Sequence, residues 1–362
     1  LIIEGINHNK GLSCHLTAIR NILNTQGAMM EERKLFGLSS SMTINYSKMA
    51  GKNNFPIISG LNSQCLDNLA TFFQMDYRHY FDADSCKAHQ MLVDRLNENT
   101  PVIVTVSLKK YREWLFSNKS MENRQFGFNI ESILSGLKWV GHVILVVGYD
   151  KRKDEFKFYE NTLTELQSIS KTDLMSVRML NNTQGWNIFN EAFIIRPAPV
   201  RVEARDYIEA VTRNIYTYLY STHPNCGYHA VHLFFDDFHS GKWRDYYSKE
   251  ELASIFYFLY FTIDTTSGGL FRKYYAMFLM DIYTTFGLEK FDDVSNYYKE
   301  LSKLWNKFAG KLLMYARSDD IYEAFNDMSI KEVTDTIIEA EAEGIDKLSE
   351  CVRNHHLRTK FI

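Results

Sequence analysis

The sequence predicts an α+β fold, a helix packed on an antiparallel sheet, followed by an all-helical region. Three observations carry that reading. A helix-periodic run follows Cys14, with Leu16, Ile19, Ile22 and Leu23 at helical spacing and Gly27 as its stop. Strand-like runs then cluster at about 101–108, 142–149, 156–160 and 191–196, after a further helix near 64–74. Beyond Arg196-Pro197-Ala198-Pro199-Val200, whose prolines disfavour continuing helix or strand, the chain turns to long aromatic-rich segments. These fall at about 203–220, 227–238, 248–263, 269–286, 292–316 and 330–355. The expected division is a catalytic domain over 1–198 and a helical domain over 199–362.

Composition bounds the function. At 362 residues, 45% hydrophobic and 14% aromatic, the chain can fill two cores. A net charge of −3 gives no general electrostatic case for nucleic acid. No apolar run reaches membrane-spanning length and no signal-peptide pattern is present, so no membrane association is expected. The five cysteines, at 14, 65, 86, 226 and 351, are odd in number and scattered, with no CxxC pair. That argues against a disulfide framework or structural zinc and suits a reducing cytoplasm. No Gly-rich phosphate loop is seen, and neither a metal nor a bound cofactor is expected.

The chemistry gathers on Cys14 and His142. Cys14 lies in the first turn of its helix, where unpaired N–H groups and the positive end of the dipole favour a thiolate. Gly141-His142-Val143 opens an apolar strand ending at Gly148-Tyr149, which would hold the imidazole on a rigid element. The separation of the two residues suits a papain-like arrangement, with the cysteine near the N-terminus and the histidine well downstream. A lone cysteine is more often a small buried hydrophobe; its pairing with His142 reverses that weighting. A base also needs an orienting partner on its other ring nitrogen. The hairpin strand Phe156-Lys157-Phe158-Tyr159 returns Glu160 and Asn161 toward His142. Glu160 is preferred because a carboxylate stabilises imidazolium better than an amide does, and Asn161 is the alternative third member.

Several segments in order resemble the N-terminal domain of the butirosin biosynthesis protein H family. They are Leu12-Ser13-Cys14-His15 with Ala18 to Leu23, Glu32 with Leu35 to Ser40, Pro101 to Val104, Gly141 to Asp150, and Glu160-Asn161. The resemblance covers about residues 5–198, and one departure is Glu160-Asn161 where the family usually has Asp-Asn. Downstream, Gly227 to Ala230, Phe234 to Phe238 and Gly268 to Leu279 resemble the helical domain of unknown function that often follows. The resemblance implies a papain-like cysteine fold that moves an acyl group from a carrier-protein thioester onto an amine in antibiotic biosynthesis. Related nonribosomal amide synthetases, such as that of closthioamide, use the same logic.

The expected mechanism is ping-pong amide formation, transferase chemistry in which Cys14 takes the acyl group from the phosphopantetheine arm of an acyl or peptidyl carrier protein. A small amine or diamine then receives it, with His142 as base and Glu160 as orienter. Oxyanion donors are expected from the Cys14 backbone N–H and from His8, which occupies the place where papain-like enzymes carry a glutamine; Asn7 or Asn9 could substitute. In the helical domain Tyr228, Phe271, Arg272 and Tyr275 are the expected substrate-binding residues, since polar tips on apolar bodies suit a pocket wall. The competing reading is a peptidase or thioesterase with the same triad, which would hydrolyse its acyl group. Oligomeric state is left open, a homo-oligomer included.

Overall fold

A computed structural model describes residues 1–25, 27, 30–47, 55–118, 140–180, 188–196 and 201–359. It is a mixed helix and antiparallel-sheet protein with a helical C-terminal region. Two compact units result: Leu1–Glu32 with Leu66–Val200, and Arg33–Cys65 with Arg201–Ile362. This differs from the contiguous 1–198 and 199–362 division in one respect, because residues 33–65 group with the helical unit. The expected linker runs through 197–200, which lie outside the described residues.

The first unit is built on a six-stranded antiparallel sheet. Its order is Asp76–Tyr80, Ala192–Arg196, Val102–Ser107, Gly141–Asp150, Glu155–Tyr159, Gln167–Ser170. The two central strands are almost wholly buried, which explains their near-continuous apolar sequences. Register pairs Val104 with Ile144 and Val106 with His142, so His142 shares a sheet face with Val104, Val106, Ile144 and Val146. Leu92 and Leu96 of the helix Ser85–Asn97 and Tyr111 of the helix Leu108–Asn118 join that core. The N-terminal segment is tied to the His142 strand, with Ile3 N–H donating to Val147 O at 2.8 Å and Tyr149 N–H to Leu1 O at 2.9 Å. Gly148 permits this crossing, since a Cβ there would lie 2.6 Å from Leu1 O.

In the second unit the strands Met42–Ser47 and Ile57–Leu61 form an antiparallel pair absorbed into the helices. Met42 N–H donates to Asn214 Oδ1 at 2.9 Å, Tyr46 N–H to Asn225 O at 2.8 Å and Gly227 N–H to Ile44 O at 2.7 Å. Those bonds satisfy backbone groups that an isolated hairpin would leave to water, and they account for the grouping of 33–65 with the helices. The segment expected as one helix over 269–286 begins only at Arg272. Gly268, Gly269, Leu270 and Phe271 all have positive φ, so the backbone cannot be helical before that point.

Candidate active site

Cys14 is the first residue of the helix Cys14–Asn24. Ser13 caps the helix, its Oγ accepting the Leu16 N–H at 3.3 Å, while Leu16, Ile19, Ile22 and Leu23 are buried. A carboxylate that the sequence reading left without a role fixes the turn before Cys14. Glu32, 4% exposed, accepts the Ser13 N–H at 2.6 Å, the Leu12 N–H at 3.3 Å and the Thr17 hydroxyl at 3.4 Å. Arg20 Nη1 lies 3.5 Å from it. Burial raises the Glu32 carboxyl above its usual range against the pull of these donors. Gly11 is required beside it, because a Cβ would collide with Thr17 Oγ1 and Glu32 Oε2.

His142 is buried at the start of its strand, and its Nε2 lies 3.0 Å from Glu160 Oε1. Glu160 is 1% exposed, and its other oxygen accepts from both the N–H and the hydroxyl of Thr162, at 2.8 Å and 2.6 Å. Asn161 faces elsewhere: its Nδ2 donates to Gly11 O at 3.0 Å, and Gly11 N–H donates to Asn161 O at 2.9 Å. Of the two alternatives, then, Glu160 reaches His142 and Asn161 ties the hairpin to the loop before Cys14. The Tyr111 ring stacks on His142 at 5.5 Å, a restraint on the imidazole that helical periodicity alone does not reveal.

The electrostatics follow from this packing. Burial alone would raise the Cys14 thiol, but the charges of His15 and His142 and a hydrogen bond from each hold it well below the usual thiol range. Burial would lower His142, yet the Cys14 sulfur and then Glu160 raise it to about 9. Burial would likewise raise Glu160, and its bond to His142 brings it down to about 2. These shifts favour a thiolate beside an imidazolium held by a carboxylate, with His142 Nδ1 left for the sulfur once Nε2 is committed.

His8 does not have the free N–H an oxyanion donor needs. Its Nε2 lies 2.7 Å from Leu163 O and its Nδ1 2.7 Å from Asn21 Nδ2, while the ring stacks on Tyr159 at 4.5 Å. Burial, offset in part by the Leu163 carbonyl, lowers its pKa, which fits a neutral ring donating at Nε2 and accepting at Nδ1. Asn7 and Asn9 are exposed, and the Asn9 carbonyl accepts from Arg20. The helix start at Cys14 remains the place where backbone N–H groups are available. A second imidazole also stands at the sulfur: His15 Nδ1 is 3.5 Å from Cys14 Sγ.

The residues expected to bind substrate in the helical unit have interior partners of their own. Arg272 is fully buried, donating to both Glu341 oxygens at 2.8 Å and 2.9 Å, to Thr43 O and Leu270 O at 3.0 Å, and to the Tyr218 hydroxyl at 3.3 Å. Tyr275 is fully buried against Tyr298, and Phe271, 8% exposed, stacks on Phe36. The Tyr228 hydroxyl is 3.4 Å from Ile338 O. In this structure Arg272 is engaged within the core of its unit, and Tyr275 is buried there with no hydrogen bond to its hydroxyl. Among the described residues no helix is long and apolar enough to cross a membrane, and no three His, Cys, Asp or Glu side chains gather as a metal site would require.

No curated protein matches the chain. Residues 13–112 match the family model described as butirosin biosynthesis protein H, N-terminal; the match includes Cys14, and His142 and Glu160 lie beyond it. Residues 189–348 match a domain of unknown function, DUF4872. The N-terminal part of the chain is thus similar to the butirosin biosynthesis protein H N-terminal family, and a stretch similar to DUF4872 follows it.

Proposed function

We propose that the protein is a cysteine-dependent acyltransferase of antibiotic biosynthesis that forms an amide through an acyl-enzyme at Cys14. The observation that carries this reading is the thiolate-stabilising surround of Cys14, with His142 anchored by the buried Glu160 at 3.0 Å. The butirosin family match supports the acyl-transfer class and the biosynthetic setting.

In the first half-reaction the Cys14 thiolate attacks a thioester carbonyl, and the C–S bond to the donor breaks as that thiol leaves with the proton of His142. Backbone N–H groups at the start of the Cys14 helix are the donors available to the oxyanion. In the second half an amine attacks the acyl-enzyme, His142 takes a proton from nitrogen, and the thiolate is released. The exchange of one thioester for another needs no ATP and no metal. A carrier protein bearing the acyl group on a phosphopantetheine arm is the donor this chemistry suits, in the reducing compartment a free nucleophilic thiol requires.

The test is product analysis with a small acyl thioester and a panel of amines. Amide formation that saturates with amine is the expected result. Release of free acid regardless of amine would reassign the same site to a thioesterase or peptidase.

A further inference from the structure

Two histidines act on Cys14, and His142 is held by Glu160. The second is His15, whose Nδ1 is 3.5 Å from Sγ. Consecutive helical residues point about 100° apart, so the ring must turn back toward the sulfur to make this contact. Burial would lower the His15 pKa, but the Cys14 charge and hydrogen bond, with Glu191 adding to them and His142 opposing, raise it. Glu191 is itself held in place: its Oε2 accepts the Thr105 hydroxyl and its Oε1 lies 2.8 Å from His79 Nε2. Cys14 and His15 are themselves only half-buried, and Glu191 reaches solvent through His79, whose side chain is 40% exposed.

The proton count of amide formation gives this arrangement a use. An alkylamine at neutral pH is an ammonium ion, and it must lose one proton before its lone pair can attack and a second after the C–N bond forms. His142 accounts for the second, which re-forms its imidazolium beside the departing thiolate. Loss of the first to solvent leaves only a small neutral fraction, and a second base at the same carbon raises that fraction where it is used. We propose that His15, backed by Glu191, is that base, and that the acceptor is accordingly a cationic alkylamine. In the acyl-enzyme the Cys14 charge that raises His15 is gone; the ammonium gives a proton to the neutral imidazole of His15, and the free amine attacks the Cys14 acyl carbonyl. The adduct nitrogen then gives its second proton to His142 as the C–S bond breaks with its electron pair on Sγ. His15, half-exposed, then returns its proton to water. The carboxylate of Glu191 also supplies negative charge for the incoming cation. This inference rests on the reading of Cys14 as the acylated nucleophile.

The experiment compares two acceptors on the full chain acylated by a small acyl thioester. One is a simple alkylamine, cationic at neutral pH; the other is hydroxylamine, already neutral and with only one proton to lose. His15→Asn keeps a polar atom near the Nδ1 position but removes the base. The ratio of alkylamine to hydroxylamine rate should fall by about 10² relative to wild type, within the range for a positioned general base. Raising the pH toward the alkylamine's own pKa should restore it. Glu191→Gln should move the ratio in the same direction by a smaller factor, and the hydroxylamine reaction shows that each variant is folded. An unchanged ratio in His15→Asn, with acylation intact, overturns the role of His15 while leaving the acyl-enzyme standing. Failure of wild-type Cys14 to become acylated overturns both.

Discussion

Glu32 Oε1 accepts the Ser13 N–H at 2.6 Å, so the residue before Cys14 is pinned by a buried carboxylate from the following helix. Removing it leaves two backbone N–H groups and Arg20 without that acceptor. Glu32→Ala should therefore cost about 1–3 kcal/mol, the penalty for unsatisfied buried donors, read as a lower urea midpoint with an unchanged slope. Gly11→Ala should act in the same direction by displacing the carboxylate.

The separation of duties between Glu160 and Asn161 is testable by kinetics. Glu160→Gln should lower kcat by about 10² or more, since the imidazolium loses its counter-charge. Asn161→Ala should act mainly through the Gly11 loop, lowering the unfolding midpoint more than kcat. The reverse ranking would hand the orienting role to the amide.

The shifted groups set opposite pH limits. Cys14 is lowered and His142 raised to about 9, both shifts toward a thiolate–imidazolium pair, the state that alkylation reads. Alkylation of Cys14 by iodoacetamide should stay fast down to about pH 6, where a free thiol of pKa about 8.5 has lost most of its thiolate. Because the folded pKa of His142 lies above its unfolded value, its contribution to stability is complete below the ordinary histidine range and is lost as pH rises through about 9. Glu160, lowered to about 2, contributes above the ordinary carboxylate range and loses that contribution as pH falls through about 2. Urea titrations of wild type and His142→Gln should converge at the alkaline end.

Arg272 and Glu341 form a fully buried pair that also engages Tyr218, while Trp305 Nε1 donates to Glu341 at 2.7 Å. Glu341→Ala should cost about 3–5 kcal/mol in unfolding free energy, because an uncompensated guanidinium is left in the core. A loss below about 1 kcal/mol would point to solvent reaching Arg272.

The strongly patterned parts of this protein were legible in the sequence. The periodicity after Cys14 and the apolar run after His142 correspond to the helix Cys14–Asn24 and the strand Gly141–Asp150, since each buries a continuous apolar face. Asp76–Tyr80 and Gln167–Ser170 were not legible, because they are the sheet's outermost strands, short and largely polar. The long-range grouping of Met42–Ser47 with the helices depends on hydrogen bonds that Met42 and Tyr46 donate to Asn214 and Asn225, which no local pattern announces. At the site, residue types, spacing and resemblance nominated Cys14, His142 and Glu160, and the structure sets His142 Nε2 3.0 Å from Glu160. The free valence of a side chain could not be read: His8 has both nitrogens engaged, and Arg272 faces a carboxylate in its own core. His15 passed as a neighbour in the chain, its turned-back ring being a matter of packing.

The most direct measurement of the central claim is intact-protein mass after mixing wild type and Cys14→Ala with a small acyl thioester, followed by addition of an amine. Wild type should gain one acyl group mapped to Cys14 and lose it to the amine as amide, and Cys14→Ala should gain none. An acyl group retained on Cys14→Ala, or amide formed by that variant at the wild-type rate, would contradict the account.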